Sequence, residues 1–141
     1  MATYDFTDGS ISGQDVPPEV TPDETKAWVQ RNVIDAANQN LASGDVAQAM
    51  NIEAGCTVLT AWARVITADS GGGTISLGYG GAASKWGSGG AVSAADADVL
   101  GSFDPAYFAS DDTIDITVST AALTTAKLEV CALVVKQISS F

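Results

Sequence analysis

Alternating apolar and polar residues predict β-strands along most of the chain. Residues 74–79 and 113–119 alternate with a period of two, which is typical of a half-buried strand. Residues 46–52 form a shorter candidate strand. Residues 56–68 are apolar on both faces in their middle, which favours a central strand covered on both sides. Residues 127–138 form a long, continuously apolar last strand.

Turn-forming residues separate these strands. The glycine-rich segment 69–73 joins residues 56–68 to residues 74–79, and this arrangement predicts a β-hairpin. The segment 121–125 joins residues 113–119 to residues 127–138 in the same way and predicts a second hairpin.

Residues 22–36 carry conflicting signals. Thr21-Pro22-Asp23-Glu24 resembles a helix start, with Thr as the N-cap and Pro in the first turn. The following residues alternate with a period of two and are rich in β-branched side chains, which favours a strand over 27–36. Helix and strand both remain open for 22–36, and we favour the strand.

The second half of the chain contains weaker patterns. Residues 80–90 are rich in glycine and predict an exposed loop around Lys85 and Trp86. Residues 93–100 are compatible with one helical turn, and Asp104-Pro105 and residues 110–112 have turn chemistry. In total we expect six or seven strands and an all-β fold. The pattern predicts an antiparallel β-sandwich, jelly-roll-like, or a partly closed barrel, with an extended N-terminal arm.

The N-terminal segment differs from the rest of the chain. Residues 1–24 hold six acidic residues, three prolines and no basic residue, without sustained periodicity. Such a segment does not bury enough apolar surface to fold alone. We therefore divide the chain into an extended acidic arm, 1–25, and one β-sandwich domain, 26–141. The arm is either a loose terminus or a segment that binds along a neighbour through its apolar side chains. These candidate interface residues are Tyr4, Phe6, Ile11, Val16 and Val20.

Charge and length restrict the function further. The 141 residues suffice for one hydrophobic core and carry a net charge of −11. That charge repels phosphate backbones and anionic lipids, so we expect neither nucleic acid nor a membrane as a partner. We also expect no signal peptide and no transmembrane helix.

The chain offers little catalytic chemistry. It has no histidine, which removes the most common general base and metal ligand. Candidate carboxylates for catalysis or for a structural calcium ion are Asp96 with Asp98, and Asp111 and Asp112 with Asp115. Their default interpretation is a solvated acidic surface, and we predict no catalytic residue, no cofactor and no metal.

Two further residue types leave alternatives open. Cys56 and Cys131 are expected to be buried free thiols, with a disulfide between adjacent strands as the alternative. Trp62 is expected in the core. Trp86 either anchors an interface, stacks on a sugar, or closes the open end of the sandwich over its own core.

Three segments resemble small structural proteins of tailed-phage virions in their order and spacing. They are residues 43–55 (SGDVAQAMNIEAG), residues 65–78 (VITADSGGGTISLG), and residues 112–118 (DTIDITV) followed by 126–130 (AKLEV). Glu53 stands where the family pattern has proline. The resemblance covers about residues 43–136 and leaves the arm uncovered.

This resemblance implies a capsid decoration (cement) protein or a head-fibre base protein. It implies a homotrimer that binds the phage major capsid protein on the outer capsid surface of the virion, without catalysis. The alternative is a carbohydrate-binding or host-attachment module of a head fibre or tail. A small enzyme is a third class, disfavoured by the missing histidine.

Overall fold

A computed structural model describes residues 1–7 and 25–137 of the chain. Within these residues it contains nine β-strands and no helix. The strands are β1 (Thr3–Asp5), β2 (Thr25–Asp35), β3 (Val46–Ile52), β4 (Cys56–Thr67), β5 (Thr74–Tyr79), β6 (Ala82–Ala91), β7 (Ala97–Tyr107), β8 (Asp112–Ser119) and β9 (Lys127–Gln137).

The strands form two sheets that pack face to face. The five-stranded sheet has the order β1-β3-β8-β5-β6, and the four-stranded sheet has the order β2-β9-β4-β7. All neighbours are antiparallel except β1 and β3. The predicted all-β, antiparallel β-sandwich is confirmed.

The described part of the ambiguous segment is a strand, β2. In β2 the side chains of Gln30, Asn32 and Ile34 are buried, whereas those of Val29 and Arg31 are exposed. This alternation is the period-two pattern that favoured the strand, and pairing along the whole of β9 stabilises it. The favoured prediction for residues 27–36 is therefore confirmed.

Both predicted hairpins are wrong. β4 belongs to the four-stranded sheet and β5 to the five-stranded sheet, so segment 69–73 crosses between the sheets. Segment 121–125 makes the same crossing between β8 and β9. The two crossings lie side by side, because the buried carboxylate of Asp69 accepts hydrogen bonds from the backbone N–H groups of Thr124, Thr125 and Ala126. Because this contact holds the two segments together, both act as crossings between the sheets although their residues are typical of tight turns.

The glycine-rich stretch is a strand, not the predicted loop. β6 pairs with β5 at the edge of its sheet, with two irregularities in register. Gly78 of β5 permits this pairing, because a Cβ atom there would stand 2.1 Å from the carbonyl oxygen of Ala82. Gly87, at φ 143°, has no room for a side chain beside Leu100. The glycines therefore allow close strand contact.

The predictions for residues 93–107 also need correction. No helical turn forms at 93–100, and Asp104-Pro105 lies inside β7 instead of in a turn. β7 is an edge strand, where proline is tolerated because its missing N–H group need not face a neighbour. The predicted turn at 110–112 does precede β8.

The core lies between the sheets, and side chains close both sides of the sandwich. On one side, Asn32 donates to the carbonyl oxygens of Phe6 (3.0 Å) and Ala49 (2.6 Å). On the other side, the indole N–H of Trp86 donates to the carbonyl oxygen of Asp104 at 3.0 Å. The largest fully buried core side chains are Trp86, Phe6, Ile34, Leu41, Met50, Ile52, Ile75, Leu77, Ile114, Ile116, Leu123 and Leu128.

Candidate interaction surface

Among the predicted interface residues, the described ones contact their own domain. Phe6 is fully buried, and Tyr4 is half-buried against the core. Strand β1 adds to β3 of the same chain, and the backbone N–H of Ala2 donates to Asp45 at 2.8 Å. Ile11, Val16 and Val20 lie outside the described residues, so their role stays a prediction.

Trp86 closes the sandwich over its own core. Its side chain is fully buried, and its ring centroid lies 5.9 Å from that of Tyr79. Tyr79 in turn lies 5.0 Å from Phe108. No face of the Trp86 indole is exposed for a sugar or a partner in this conformation. Of the three roles considered for this residue, the closing role fits the structure.

Trp62 is on the outer face of the four-stranded sheet, so the prediction of a core position is wrong. Its neighbours Ala61 and Ala63 are fully buried, whereas Trp62 is half-buried. Trp62 pairs with Gly101 on β7 and with Cys131 on β9. A Cβ atom on Gly101 would stand 2.8 Å from the Trp62 Cβ, so this row has no room for another side chain.

The same outer face carries most of the exposed apolar side chains. Phe103 (71% exposed), Tyr107 (68%) and Val29 (54%) are large hydrophobic residues that the described chain leaves in solvent, with Met1 as the fourth. The strand registers align them in two rows. One row runs Val29, Leu133, Thr60, Phe103, and the next runs Ala27, Val135, Thr57, Tyr107. We call this set, with Trp62, the outer apolar face.

Ion pairs border one end of the outer apolar face. Glu129 lies between two guanidinium groups, with its carboxylate 2.8 Å from Nε of Arg31 and 3.7 Å from Nε of Arg64. The hydrogen bond from Arg31 and the two positive charges hold the pKa of Glu129 below its usual value. Arg64 also reaches Asp96 at 3.6 Å, and Lys127 lies 3.9 Å from Asp35. Charges of both signs are therefore balanced here.

The charge is unevenly distributed between the four-stranded sheet and the rest of the chain. Strands β2, β4, β7 and β9 contain five of the six basic residues and four of the seventeen acidic residues. The rest of the chain holds one basic and thirteen acidic residues. The negative charge thus lies almost entirely outside the four-stranded sheet.

The predicted carboxylate sets are separated in the structure. Asp111 and Asp112 line a cleft with Glu53 at the start of β8, whereas Asp96 pairs with Arg64 near the far end of β4. Asp111 accepts a hydrogen bond from the backbone N–H of Ala54 at 2.8 Å, which gives it a structural role. Within residues 1–7 and 25–137, no three potential metal ligands come together.

Asp115 is the one carboxyl of this set with a strongly raised pKa. Burial raises its pKa to about 6, and the charge of Asp112 adds to the effect. The Thr113 hydroxyl, which donates to Asp115 at 2.6 Å, opposes that rise. The raised pKa of Asp115 is therefore chiefly a consequence of its burial in the packed sheet.

The cysteines are buried thiols that form no disulfide, as favoured from the sequence. Cys56 lies on the core side of β4, while Cys131 shares a row with Trp62 on the outer face. Because they occupy opposite faces of one sheet, they do not pair. Burial raises the pKa of the Cys56 thiol.

Comparisons with known proteins identify the fold. A chain in the solved capsid of Ralstonia phage GP4 has a TM-score of 0.65 at 16% identity, with 97% of this chain and 99% of that chain covered. A chain in the capsid asymmetric unit of cyanophage Pam1 has a TM-score of 0.56 at 14% identity, covering 86% and 91%. A chain in the acidic stable capsid structure of Helicobacter pylori bacteriophage KHP30 has a TM-score of 0.53 at 9% identity, covering 79% and 90%.

These matches show that the chain shares its fold with chains found in phage capsids. No family model matches the sequence, and no curated protein matches it. In the described part of the chain, no helix is long and apolar enough to cross a membrane.

Proposed function

We propose that this chain is a capsid decoration (cement) protein of a tailed bacteriophage, which binds the outer surface of the head shell and stabilises it. The observation that carries the proposal is the likeness to the Ralstonia phage GP4 capsid chain over nearly the full length of both chains. The resemblance of residues 43–136 to small virion proteins supports it independently. The strand orders β2-β9-β4-β7 and β3-β8-β5-β6 fit a jelly roll, an architecture used by viral capsid domains.

The mechanism of such a protein is additive burial. Copies that associate with one another, three in the proposed assembly, place several small contacts on neighbouring major capsid proteins at once. Binding of the second and third contacts is then intramolecular, so weak contacts add to a stable attachment. No catalytic residue, cofactor or nucleic acid takes part in this mechanism.

The N-terminal segment is proposed to contribute to attachment. Ile11, Val16 and Val20 supply apolar side chains within an acidic stretch between β1 and β2. Since Phe6 belongs to the core, a deletion of residues 1–25 would also damage the fold. The better variant replaces only Ile11, Val16 and Val20 with serine and leaves residues 1–7 intact.

The test is cosedimentation with empty heads built from the major capsid protein of the encoding phage. We expect the wild-type chain to sediment with the heads, and to raise the temperature at which the heads disassemble. The triple serine variant should bind more weakly while keeping its thermal unfolding midpoint. A wild-type chain that stays in the supernatant at every concentration refutes the decoration function.

The second candidate is a carbohydrate-binding or host-attachment module. The Trp86 side chain is fully buried, whereas Phe103 and Tyr107 are exposed aromatic residues on one strand. Aromatic faces of this kind also stack on sugars. A glycan array separates the two functions: saturable binding of a glycan, lost in Phe103→Ala and Tyr107→Ala, together with absent head binding, would favour this module.

A further inference from the structure

We propose that the outer apolar face of the four-stranded sheet is the surface through which copies of this chain pack against one another. This inference deepens the proposed function, on which its biological context rests. It assigns self-association to the outer apolar face, around Phe103, Val29 and Tyr107, and not to the N-terminal segment.

The first argument is the apolar content of the face. Phe103, Leu133 and Val29 lie in one row across all four strands, with Tyr107 and Val135 in the next row. Leu133 and Val135 are half-buried, while Phe103 and Tyr107 are more than two-thirds exposed. An apolar centre with aromatic residues and a charged border is the usual composition of a protein interface.

The second argument is charge, and it selects the occupant. Copies of a chain with net charge −11 repel one another over most of their surface. The outer face of the four-stranded sheet is the exception, because Arg31, Arg64 and Lys127 lie in its rows together with Asp35 and Glu129. Its border carries both Arg64 and Glu129, so one copy offers partners for the charges of another. A contact between copies requires such a self-complementary surface.

The third argument is area. Four strands of about 11 residues cover roughly 19 Å by 36 Å, or about 700 Å² in projection, at ordinary strand spacing and rise. A stable interface buries about 800 Å² on each partner. The face as a whole therefore falls within the range of roughly 600–1,000 Å² per partner that standard interfaces bury.

The fourth argument is shape. Gly101 on β7 and Thr60 on β4 keep this side of the face low, since Gly101 has no side chain and no room for one beside Trp62. Phe103 and Tyr107 stand on the edge strand β7 next to this low area. An aromatic side chain from one copy is thus matched by a shallow area on another.

The experiment measures mass by light scattering and sedimentation over a wide range of concentration. The wild-type chain of 14.3 kDa per copy is expected to be an oligomer. Phe103→Glu should weaken association about 30-fold or more, as expected for a central interface residue. Ser84→Glu is the matched control, because it adds the same charge at an exposed position of β6, in the other sheet. Tyr107→Ser tests the face without adding charge and should also reduce the mass.

Folding is checked in each variant by near-ultraviolet circular dichroism and the thermal midpoint. The proposal is overturned if the wild type is monomeric at all concentrations, if Phe103→Glu keeps the wild-type mass, or if Ser84→Glu lowers the mass equally. Head binding is scored separately. If the chain forms an oligomer that depends on Phe103 but does not bind heads, this interface is supported and the decoration function is refuted. If the chain is a monomer that binds heads, the decoration function is supported and this interface is refuted.

Discussion

Replacing Asp69 with asparagine should destabilise the fold more than any other single loss of charge in the described chain. The Asp69 carboxylate is buried and accepts hydrogen bonds from four backbone N–H groups, on Gly71, Thr124, Thr125 and Ala126. Burial opposes ionisation, but these hydrogen bonds outweigh it and lower the pKa of Asp69 to about 2. One side chain thereby holds together both crossings between the sheets.

The magnitude follows from those bonds. A hydrogen bond to a charged group contributes about 1.5–3 kcal/mol, and a buried donor left unpaired costs about 1–3 kcal/mol. In Asp69→Asn, the NH₂ group cannot accept the bonds that one carboxylate oxygen now receives. Because water near the turns will satisfy some of these donors, we expect a loss of about 3 kcal/mol at pH 7.

The assay is urea unfolding followed by the fluorescence of the three tryptophans. The control is Asp96→Asn, which removes the same charge from a side chain that is 83% exposed, and it should change stability by less than about 0.5 kcal/mol. The Asp69 contribution is complete above the unfolded pKa of about 4 and disappears as the pH falls through 2. The free energies of unfolding of the wild type and of Asp69→Asn should therefore converge between pH 4 and pH 2. Equal urea midpoints at pH 7, or a difference that does not shrink in acid, would refute this reasoning.

Two further predictions test the packing of the five-stranded sheet. Asp115→Asn should raise the free energy of unfolding at pH 7 by about 1 kcal/mol, because burial has raised the pKa of this carboxyl to about 6 and its charged form is penalised in the folded state. The gain should fade as the pH drops from 6 to 4 in urea titrations, and an equal gain at both pH values contradicts the assignment. Gly78→Ala should cost about 3 kcal/mol or more in thermal unfolding, since its Cβ would meet the backbone of Ala82 and Ala83. Gly72→Ala is its control: this glycine has no atoms near its Cβ position, so only its φ of 79° is strained, and an equal loss in both variants would exclude the steric cause.

Strand positions were predictable because alternation is a local property. Residues 46–52 coincide with β3, and 74–79 with β5, since one face of each strand is buried and the other is half-exposed. β6 was missed because its glycines carry no hydrophobic pattern. Its pairing depends on the backbone of β5, which the local sequence does not reveal.

Strand partners were not predictable, because a hairpin and a crossover use the same turn residues. Segments 69–73 and 121–125 both contain the small and polar residues of tight turns. What makes them crossovers is the contact of Asp69 with Thr124 and Thr125, which are more than 50 residues away in sequence. The signal in the sequence was a single aspartate at the start of a glycine-rich turn. Such an aspartate indicates a carboxylate that accepts hydrogen bonds from backbone N–H groups.

The two misplaced tryptophans have different causes. Trp62 lies in a strand that is apolar at successive positions, so alternation did not reveal which face is inside. The register also shifts between Val58 and Thr60, which changes the parity of every residue before it. Trp86 was assigned to a loop because of its glycine neighbours, although β6 carries it into the core.

The error over residues 56–68 has a meaning of its own. Their pattern predicted a strand covered on both sides, yet the chain covers only the side of Ala61 and Ala63. Trp62 is half-buried on the other side, one row from Leu133 of β9. In the described chain, nothing packs over this second apolar side of β4. The outer face of the five-stranded sheet, in contrast, carries the expected polar residues. Strand β4 thus has a second apolar side that its own chain leaves uncovered. An interface between subunits would bury such a side. The pattern was therefore a wrong prediction for this chain, and its second apolar side is the surface that the proposed interface would cover.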